Sequence, residues 1–314
     1  MQPALAAVIG RVLGSAVRGS RSLPGGDINQ AHAVGLADGR EVFVKSNPSA
    51  PRAMFPAEAR GLHWLAEARA LRVPRVLAVS EEGALGPSFL ALELIQPGPP
   101  ARDFHETLGR GLAALHRSGA PGFGLDHDNF IGRLPQCNDL TGTLGGFPGP
   151  PAKDSARAKP ELRRRDNSWA AFYRARRLEP QLKAAVDGGR ASARMRQGFD
   201  RLFDRLPELV GSPEPPSRLH GDLWGGNLMC DGSGAPCLID PAAYGGHREI
   251  DLAMMRLFGG FGERVFDAYH EAAPLADGHG ERVPLYQLYP LLVHVNLFGG
   301  AYVGAVESAL AELV

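Results

Sequence analysis

The sequence predicts an α+β chain of two lobes. A small β-sheet lobe with one main helix is expected over residues 1–96, and a larger, mostly helical lobe over 97–314. Three observations carry this. Short strand-like runs bounded by turn residues fill the first ninety-odd positions. A stiff Pro/Gly break, "QPGPPA" at 96–101, follows them and suits a hinge. From Asp103 onward the apolar spacing is mainly helical, with one clear strand pair near residue 230.

The elements follow in order. In "MQPALAAVIGRVLGSAVRGSRS", Leu5, Val8, Ile9, Val12 and Leu13 fall on one face of a helix. The stretch lacks a basic leading region and Arg11 interrupts it, so it reads as structure and not as a secretion signal. "HAVGLADG" and "REVFVKSN" are strands joined by an Asp-Gly turn. "PAEARGLHWLAEARAL" is a helix with Ala59, Leu62, Leu65 and Ala66 on one side, and "VPRVLAVSEEGALGPSFLALELI" gives two further strands. Beyond the break, "ETLGRGLAALHRS" is helical, while "NLMC" and "PCLID" are strands around the turn residues "DGSGA". The Gly/Pro-rich and then basic segment Thr141–Asp166 has little to bury and is expected to be a mobile surface loop.

Composition narrows the function. Lys plus Arg total 34 and Asp plus Glu 34, which gives no general attraction to nucleic acid or to an anionic membrane. No apolar run has the length to span a bilayer, so no membrane partner is expected. Three cysteines without a CxxC pair argue against a disulfide framework or a zinc site and suit a reducing cytoplasm. Arg163–Arg165, Arg174, Arg176 and Arg177 read as a solvated face and not as a nucleic-acid surface.

The chemistry concentrates between Ser217 and Ala253, "SRLHGDLWGGNLMCDGSGAPCLIDPAAYGGHREIDLA". Carboxylates amid so many apolar and glycine residues are costly unless paired or bound to a cation. The hairpin "NLMC"/"CLID" brings Asn227 and Asp240 to one end, an oxygen pair that suits Mg²⁺. Asp222 precedes Asn227 by five residues, the D-x-x-x-x-N spacing of a protein-kinase catalytic loop, and can take a proton from a hydroxyl attacking phosphate. Upstream, Lys45 at the end of "VFVK" can hold the α/β-phosphates of ATP, and Glu58 on the next helix can pair with it. Gly25 and Gly26 in "LPGGDINQAH" let a backbone close over phosphates. Singly, each residue is as well explained by a cap, a turn or a solvated charge; together and in this order they predict an ATP- and Mg²⁺-dependent phosphotransferase of protein-kinase-like fold. His220 reads as shaping the catalytic loop, His116 as a helix-end histidine against the core, and Asp251 as either a ligand of the loop backbone or a helix cap.

"GGDINQAH", "VFVKSN", "MFPAEARGL", "GRLPQCND", "WAAFYRARRLEPQL", "HGDLWGGNLM", "IDPAAYGGHREIDLAM" and "YPLLVHVNLFGGAY" give the chain its further identity. Across about Leu23 to Tyr302 it resembles the fructosamine/ketosamine-3-kinases, relatives of aminoglycoside phosphotransferases and choline kinases. The resemblance implies phosphorylation of the C3 hydroxyl of ketosamines (fructosamines or ribulosamines, small or protein-bound) in deglycation repair. It implies the roles just given for Asp222, Asn227, Asp240, Lys45 and Glu58. It also puts Glu93 and Leu94 against adenine, Trp224 as a wall for the ketosamine, and His294 and Asn296 along the sugar pocket. Some members carry a glycine-loop cysteine that permits redox-sensitive dimerisation; Asp27 follows Gly25-Gly26 here. A kinase of aminoglycosides, choline or another alcohol shares the catalytic loop, and only "FYRARRLEPQL" and "LVHVNLFGG" argue against it. A nucleotide-binding pseudokinase scaffold would be marked by a lost Lys, Asp or metal ligand, and none is lost. The preferred sugar and amine and the oligomeric state stay open.

Overall fold

The computed structural model describes residues 1–24, 28–80, 86–138 and 168–314. Helix α1 (Pro3–Val12) precedes three strands, β1 (Val17–Ser22), β2 (Gln30–Leu36) and β3 (Glu41–Ser46). Helix α2 (Met54–Glu67) and strands β4 (Val76–Val79) and β5 (Phe89–Glu93) follow. The five strands form one antiparallel sheet in the order β1-β2-β3-β5-β4. Side chains alternate across a strand, and the two faces take different helices. Val34, Leu36, Val42, Val44, Phe89 and Ala91 pack on Leu5 and Ile9 of α1. Phe43, Leu90 and Leu92 pack on Phe55, Ala59 and Leu62 of α2. Lys45, two residues after Phe43, therefore shares the α2 face.

Three expectations shift in detail. Strand β1 lay hidden inside the N-terminal stretch: "VRGSRS" is largely exposed and shows no apolar alternation, and it is a strand because it pairs along β2 from Val17 opposite Leu36 to Ser22 opposite His32. On α1 only Leu5 and Ile9 of the proposed apolar face are buried, and Val12 is half exposed. Helix α2 starts at Met54 and stops at Glu67, leaving Ala66 exposed; Arg69, with a left-handed φ of 51°, ends the run before Leu71.

The expected lobe boundary at 96/97 lies in the extended segment between β5 and the next helix, α3 (Phe104–Arg117). That segment is tied down. Gly98 N–H donates to the Cys230 carbonyl at 3.1 Å and Ala101 N–H to Gly234 at 3.0 Å. A Cβ on Gly98 would sit 2.6 Å from the Asp231 carbonyl oxygen, so only glycine allows this approach. Arg72 pairs with Glu93 at the end of β5 and with Asp231 in the later hairpin, a second tie between the sheet and the helical part.

The second part contains the small hairpin β6 (Asn129–Ile131) and β7 (Leu134–Gln136), then α4 (Trp169–Tyr173), a π-helical turn (Arg174–Leu178), α5 (Glu179–Asp187) and α6 (Ala193–Leu209). Strand β8 (Ser217–Leu219) pairs with β11 (Tyr244–Gly246), and β9 (Leu228–Cys230) with β10 (Pro236–Leu238). Helices α7 (Glu249–Phe258), α8 (Glu263–Ala272), α9 (Val283–Phe298) and α10 (Val303–Leu313) complete the chain. The largest core gathers Tyr173, Phe199, Leu202, Tyr244, Tyr286 and Leu292. The loop expectation for 141–166 and the Arg163–Arg165 reading lie outside the described residues.

Arg177 is a correction. It is fully buried and does not belong to a solvated face. Its guanidinium lies 3.9 Å from the Tyr244 ring centre and 4.7 Å from that of Phe172. Its Nη1 donates to the Cys137 and Arg176 carbonyls, and its Nη2 to Asn138 Oδ1 at 2.7 Å. Aromatic faces and neutral acceptors together offset the loss of water, which a planar, weakly hydrated cation tolerates best. All three cysteines are described and none is in a disulfide; burial pushes the Cys237 thiol up to about 12, where it is unreactive.

Candidate active site

The site forms where β3 and α2 face the β8–β11 region. Period-two alternation aims Lys45 toward α2, and its ammonium lies 2.9 Å from Glu58 Oε1 and 2.8 Å from Asp240 Oδ1. Burial alone would lower the Lys45 pKa, but Glu58 and then Asp240 hold it above the usual range, so the ammonium is charged. Burial pushes Glu58 up against the pull of Lys45, with Asp240 adding to the rise. Lys45 thus ties the sheet and α2 to a residue almost two hundred positions away.

Asp240 ends the hairpin in a left-handed conformation, φ 55°. Ile239 N–H donates to the Asn227 carbonyl at 3.0 Å, so the hairpin register extends one step past β9 and β10 and fixes the backbone beside both proposed ligands. The Asn227 amide nitrogen donates to the Asp222 carbonyl at 2.8 Å and to Asp222 Oδ2 at 3.1 Å. Both amide hydrogens are then spent on Asp222, which turns the Asn227 amide oxygen away from it and leaves that oxygen to a cation. Asp240 keeps its Oδ2 clear of the Lys45 contact, with its side chain 39% exposed. One amide oxygen and one carboxylate are the hard donors Mg²⁺ takes from protein, so the residues fit the ion.

Burial pushes the half-buried Asp222 carboxyl up to about 7; the Asn227 hydrogen bond opposes this, and Asp240 and Asp251 add to it. A carboxylate in that range is poised to exchange a proton near neutrality.

The loop that carries Asp222 is held from behind. Asp251, fully buried in the first turn of α7, accepts from His220 N–H at 2.8 Å and Gly221 N–H at 2.9 Å. His116 also meets it at 3.2 Å and bonds the Tyr269 hydroxyl at 2.7 Å. Of the two roles left open for Asp251, the structure selects the loop-backbone one. The His220 ring accepts Asp222 N–H at Nδ1 and donates from Nε2 to the Ile239 carbonyl, so both nitrogens serve the loop's shape. Burial also holds His220 below the usual imidazole range, which keeps it neutral. Asp251→Ala removes the acceptor of two buried backbone N–H groups. It is expected to cost about 3 kcal/mol of unfolding free energy, and Asp251→Asn about half of that. Urea denaturation midpoints measure this, and an unchanged midpoint for Asp251→Ala would refute it.

A polar network absent from the expectations fixes the backbone just beyond Asp240. Asn129 donates to the Ala243 carbonyl at 2.8 Å, and Gln136 donates to the Ala242 carbonyl at 3.0 Å. Tyr289 donates to Gln136, and Asn138 joins Asn129 to Arg177. The available signal was three amides within ten residues, Asn129, Gln136 and Asn138, around the short apolar runs of a hairpin.

The remaining expected residues are placed as follows. Trp224, 41% exposed, follows Asp222 by two residues, and its ring lies where a Cβ on Gly226 would be, 2.2 Å away, so Gly226 is what lets it fold back. The Glu93 N–H donates to the Arg75 carbonyl at 2.9 Å and its carboxylate pairs with Arg72; Leu94 follows, half-buried. His294 lies against Phe258 at 4.6 Å between ring centres. Asn296 is buried and spends its amide hydrogens on Gln181. Gly25 and Gly26 lie outside the described residues.

A lysine held between two carboxylates, one on a helix and one after a hairpin, beside a loop that carries Asp222 and Asn227, is the arrangement of a phosphotransferase of the protein-kinase-like, two-lobed class that acts on hydroxyl groups. The sequence profile of the fructosamine kinase family matches residues 1–147 and 154–314, and the chain belongs to that family. A probable ketoamine kinase of Synechocystis is 37% identical over 299 residues, covering 93% of this chain and 89% of that protein. The chloroplastic protein-ribulosamine 3-kinase of Arabidopsis thaliana is 35% identical over 293 residues, covering 93% and 81%. The crystal structure of a candidate fructosamine-3-kinase from Thermobifida fusca is similar with a TM-score of 0.83, 36% identity and 99% of each chain covered. Among the described residues no helix is long and apolar enough to cross a membrane.

Proposed function

We propose that this chain transfers the γ-phosphoryl group of ATP to the C3 hydroxyl of ketosamines, ribulosamines or fructosamines, and so serves the removal of sugar from glycated amines. The observation that carries the phosphotransferase reading is Lys45, fixed at 2.9 Å from Glu58 and 2.8 Å from Asp240 in a site that also contains Asp222 and Asn227. The ketosamine acceptor is supported by family membership and by the ribulosamine 3-kinase relative.

In this reading Lys45 holds the α/β-phosphates, kept in place by Glu58. Asn227 and Asp240 would hold Mg²⁺, which when bound neutralises charge on the phosphates. Asp222 orients the acceptor hydroxyl and takes its proton as the oxygen attacks phosphorus. Asp251, His220 and His116 hold the loop so that this oxygen is delivered in line, and positioning of that kind supplies much of the rate. The linker backbone at Glu93 and Leu94 meets adenine.

The test is an ATP-consumption assay with ribulose-lysine, fructose-lysine, choline and an aminoglycoside. Turnover is expected on the ketosamines, with choline and the aminoglycoside poor substrates. A higher kcat/KM on choline or the aminoglycoside than on either ketosamine would leave only the kinase class standing.

A further inference from the structure

Residues 72–75, between α2 and β4, touch the linker at Glu93 and the β9–β10 hairpin at once. On the linker side, Glu93 N–H donates to the Arg75 carbonyl at 2.9 Å. The Glu93 carboxylate accepts Arg72 Nη2 at 2.6 Å and Arg75 N–H at 3.3 Å. On the hairpin side, Leu238 N–H of β10 donates to the Arg72 carbonyl at 2.9 Å, and Arg72 Nη1 pairs with Asp231 just after β9. Arg72 therefore grips the hairpin twice. Its backbone does so two residues before Asp240, and its side chain four residues after Asn227.

The Asp231 end of this grip is fixed. Asp231 Oδ1 accepts Ser233 N–H at 2.8 Å, Ser233 Oγ–H at 2.6 Å and Ala235 N–H at 3.1 Å, and Oδ2 faces Arg72. The Ser233 and Arg72 bonds hold this carboxyl well below the usual carboxylate range, so it is charged. A planar guanidinium spans two carboxylates in one set geometry, which an ammonium cannot do. Isolated exposed ion pairs contribute little, but here a forked arginine joins a network with Arg75, Glu93 and the buried Asp231. The Arg72 side chain is 41% exposed, so truncating it opens no hole in the core.

Both ends of the fork lead to the proposed ATP site. Glu93 begins the linker assigned to adenine, and the hairpin carries Asn227 and Asp240, assigned to the cation on the phosphates. Base and triphosphate are two halves of one ligand, which binds tightly only when its two half-sites lie at its own span.

We propose that Arg72 is a positioning residue for ATP, setting the span between the adenine linker and the Asn227/Asp240 hairpin. This rests on the phosphotransferase reading of the site. Without the guanidinium, Glu93 and Asp231 are left as unneutralised carboxylates that repel one another, and the linker and hairpin spread. The bonds from Gly98 and Ala101 to the hairpin persist and limit the spread.

The test measures the affinities of wild type, Arg72→Ala and Arg72→Lys for adenosine, for Mg²⁺-tripolyphosphate and for Mg-ATP, by ligand-observed NMR and calorimetry. Arg72→Ala is expected to bind each fragment within about twofold of wild type, and Mg-ATP about tenfold more weakly. In steady state its KM for ATP should rise by a similar factor, with KM for ribulose-lysine nearly unchanged. Arg72→Lys keeps the charge and loses the fork, so its Mg-ATP affinity should fall between the other two; it carries the test if Arg72→Ala does not fold. Unchanged Mg-ATP affinity in Arg72→Ala would overturn the proposal, because the fork would then set nothing. A matching loss on one fragment alone would overturn it too, because Arg72 would then serve one half-site locally. Absence of Mg-ATP binding by the wild type would instead remove the phosphotransferase reading, and the proposal with it.

Discussion

Asp222→Asn is expected to lower turnover on a ketosamine by about 10²–10⁴-fold, the usual span for a lost general base, while Mg-ATP binding and the unfolding midpoint stay near wild type. The amide is isosteric, and its oxygen can still accept from the Asn227 nitrogen that now donates to Asp222 Oδ2 at 3.1 Å. What disappears is the proton acceptor. The residual activity should also lose the acidic limb of the pH profile, because below its pKa Asp222 is protonated and cannot serve as base, whereas the asparagine does not titrate. Burial places that carboxyl at about 7, and a cation held by Asn227 and Asp240 would draw it lower. Wild-type turnover in the variant, or an acidic limb that survives unchanged, would take Asp222 out of the chemistry.

Asp240→Ala is expected to be at least as damaging, about 10³-fold in kcat, a loss typical of removing a principal electrostatic group from a transition state. The variant loses the 2.8 Å partner of Lys45 and, in the proposed mechanism, a charged ligand for the cation. Lys45 then leans on Glu58 alone, at 2.9 Å. Asn227→Ala removes the hydrogen bond to Asp222 and the proposed neutral ligand, and should respond partly to raised Mg²⁺, as Asp240→Ala should not. Parallel Mg²⁺ titrations of the two variants check this, and equal activity in both would argue against the assigned division of labour.

Much of this site was legible in the sequence because its parts are local. Asp222, Asn227 and Asp240 lie within one loop and one tight hairpin, whose turn residues fix the register without help from distant chain. Lys45 and Glu58 were reachable through two periods: alternation places Lys45 on the face of β3 that carries Phe43, and Glu58 lies on the helix that covers that face. What stayed hidden depends on partners far along the chain. "VRGSRS" has no pattern of its own and is a strand only through β2. Asp251 had two plausible roles, and the choice between them is made by the backbone of His220 and Gly221, thirty residues earlier. Arg177 was assigned to solvent by its charge, yet it falls four residues after buried Tyr173, on the covered side of its helix. There the rings of Tyr244 and Phe172 replace the water that charge alone would demand. The Asn129–Gln136–Asn138 network was unreadable for the same reason, since its acceptors at Ala242 and Ala243 lie more than a hundred residues away.

The central claim is that Asp222 delivers one particular hydroxyl of a ketosamine to the γ-phosphate of ATP. The most direct measurement is the position of the new phosphate in the product of ribulose-lysine and ATP, read from phosphorus–proton couplings in NMR spectra of the isolated product. The account predicts a single phosphoester at the C3 oxygen, formed with stoichiometric ADP and absent in Asp222→Asn over the same interval. Phosphate on any other oxygen of the sugar, or a C3 phosphate formed as quickly by Asp222→Asn, would contradict it.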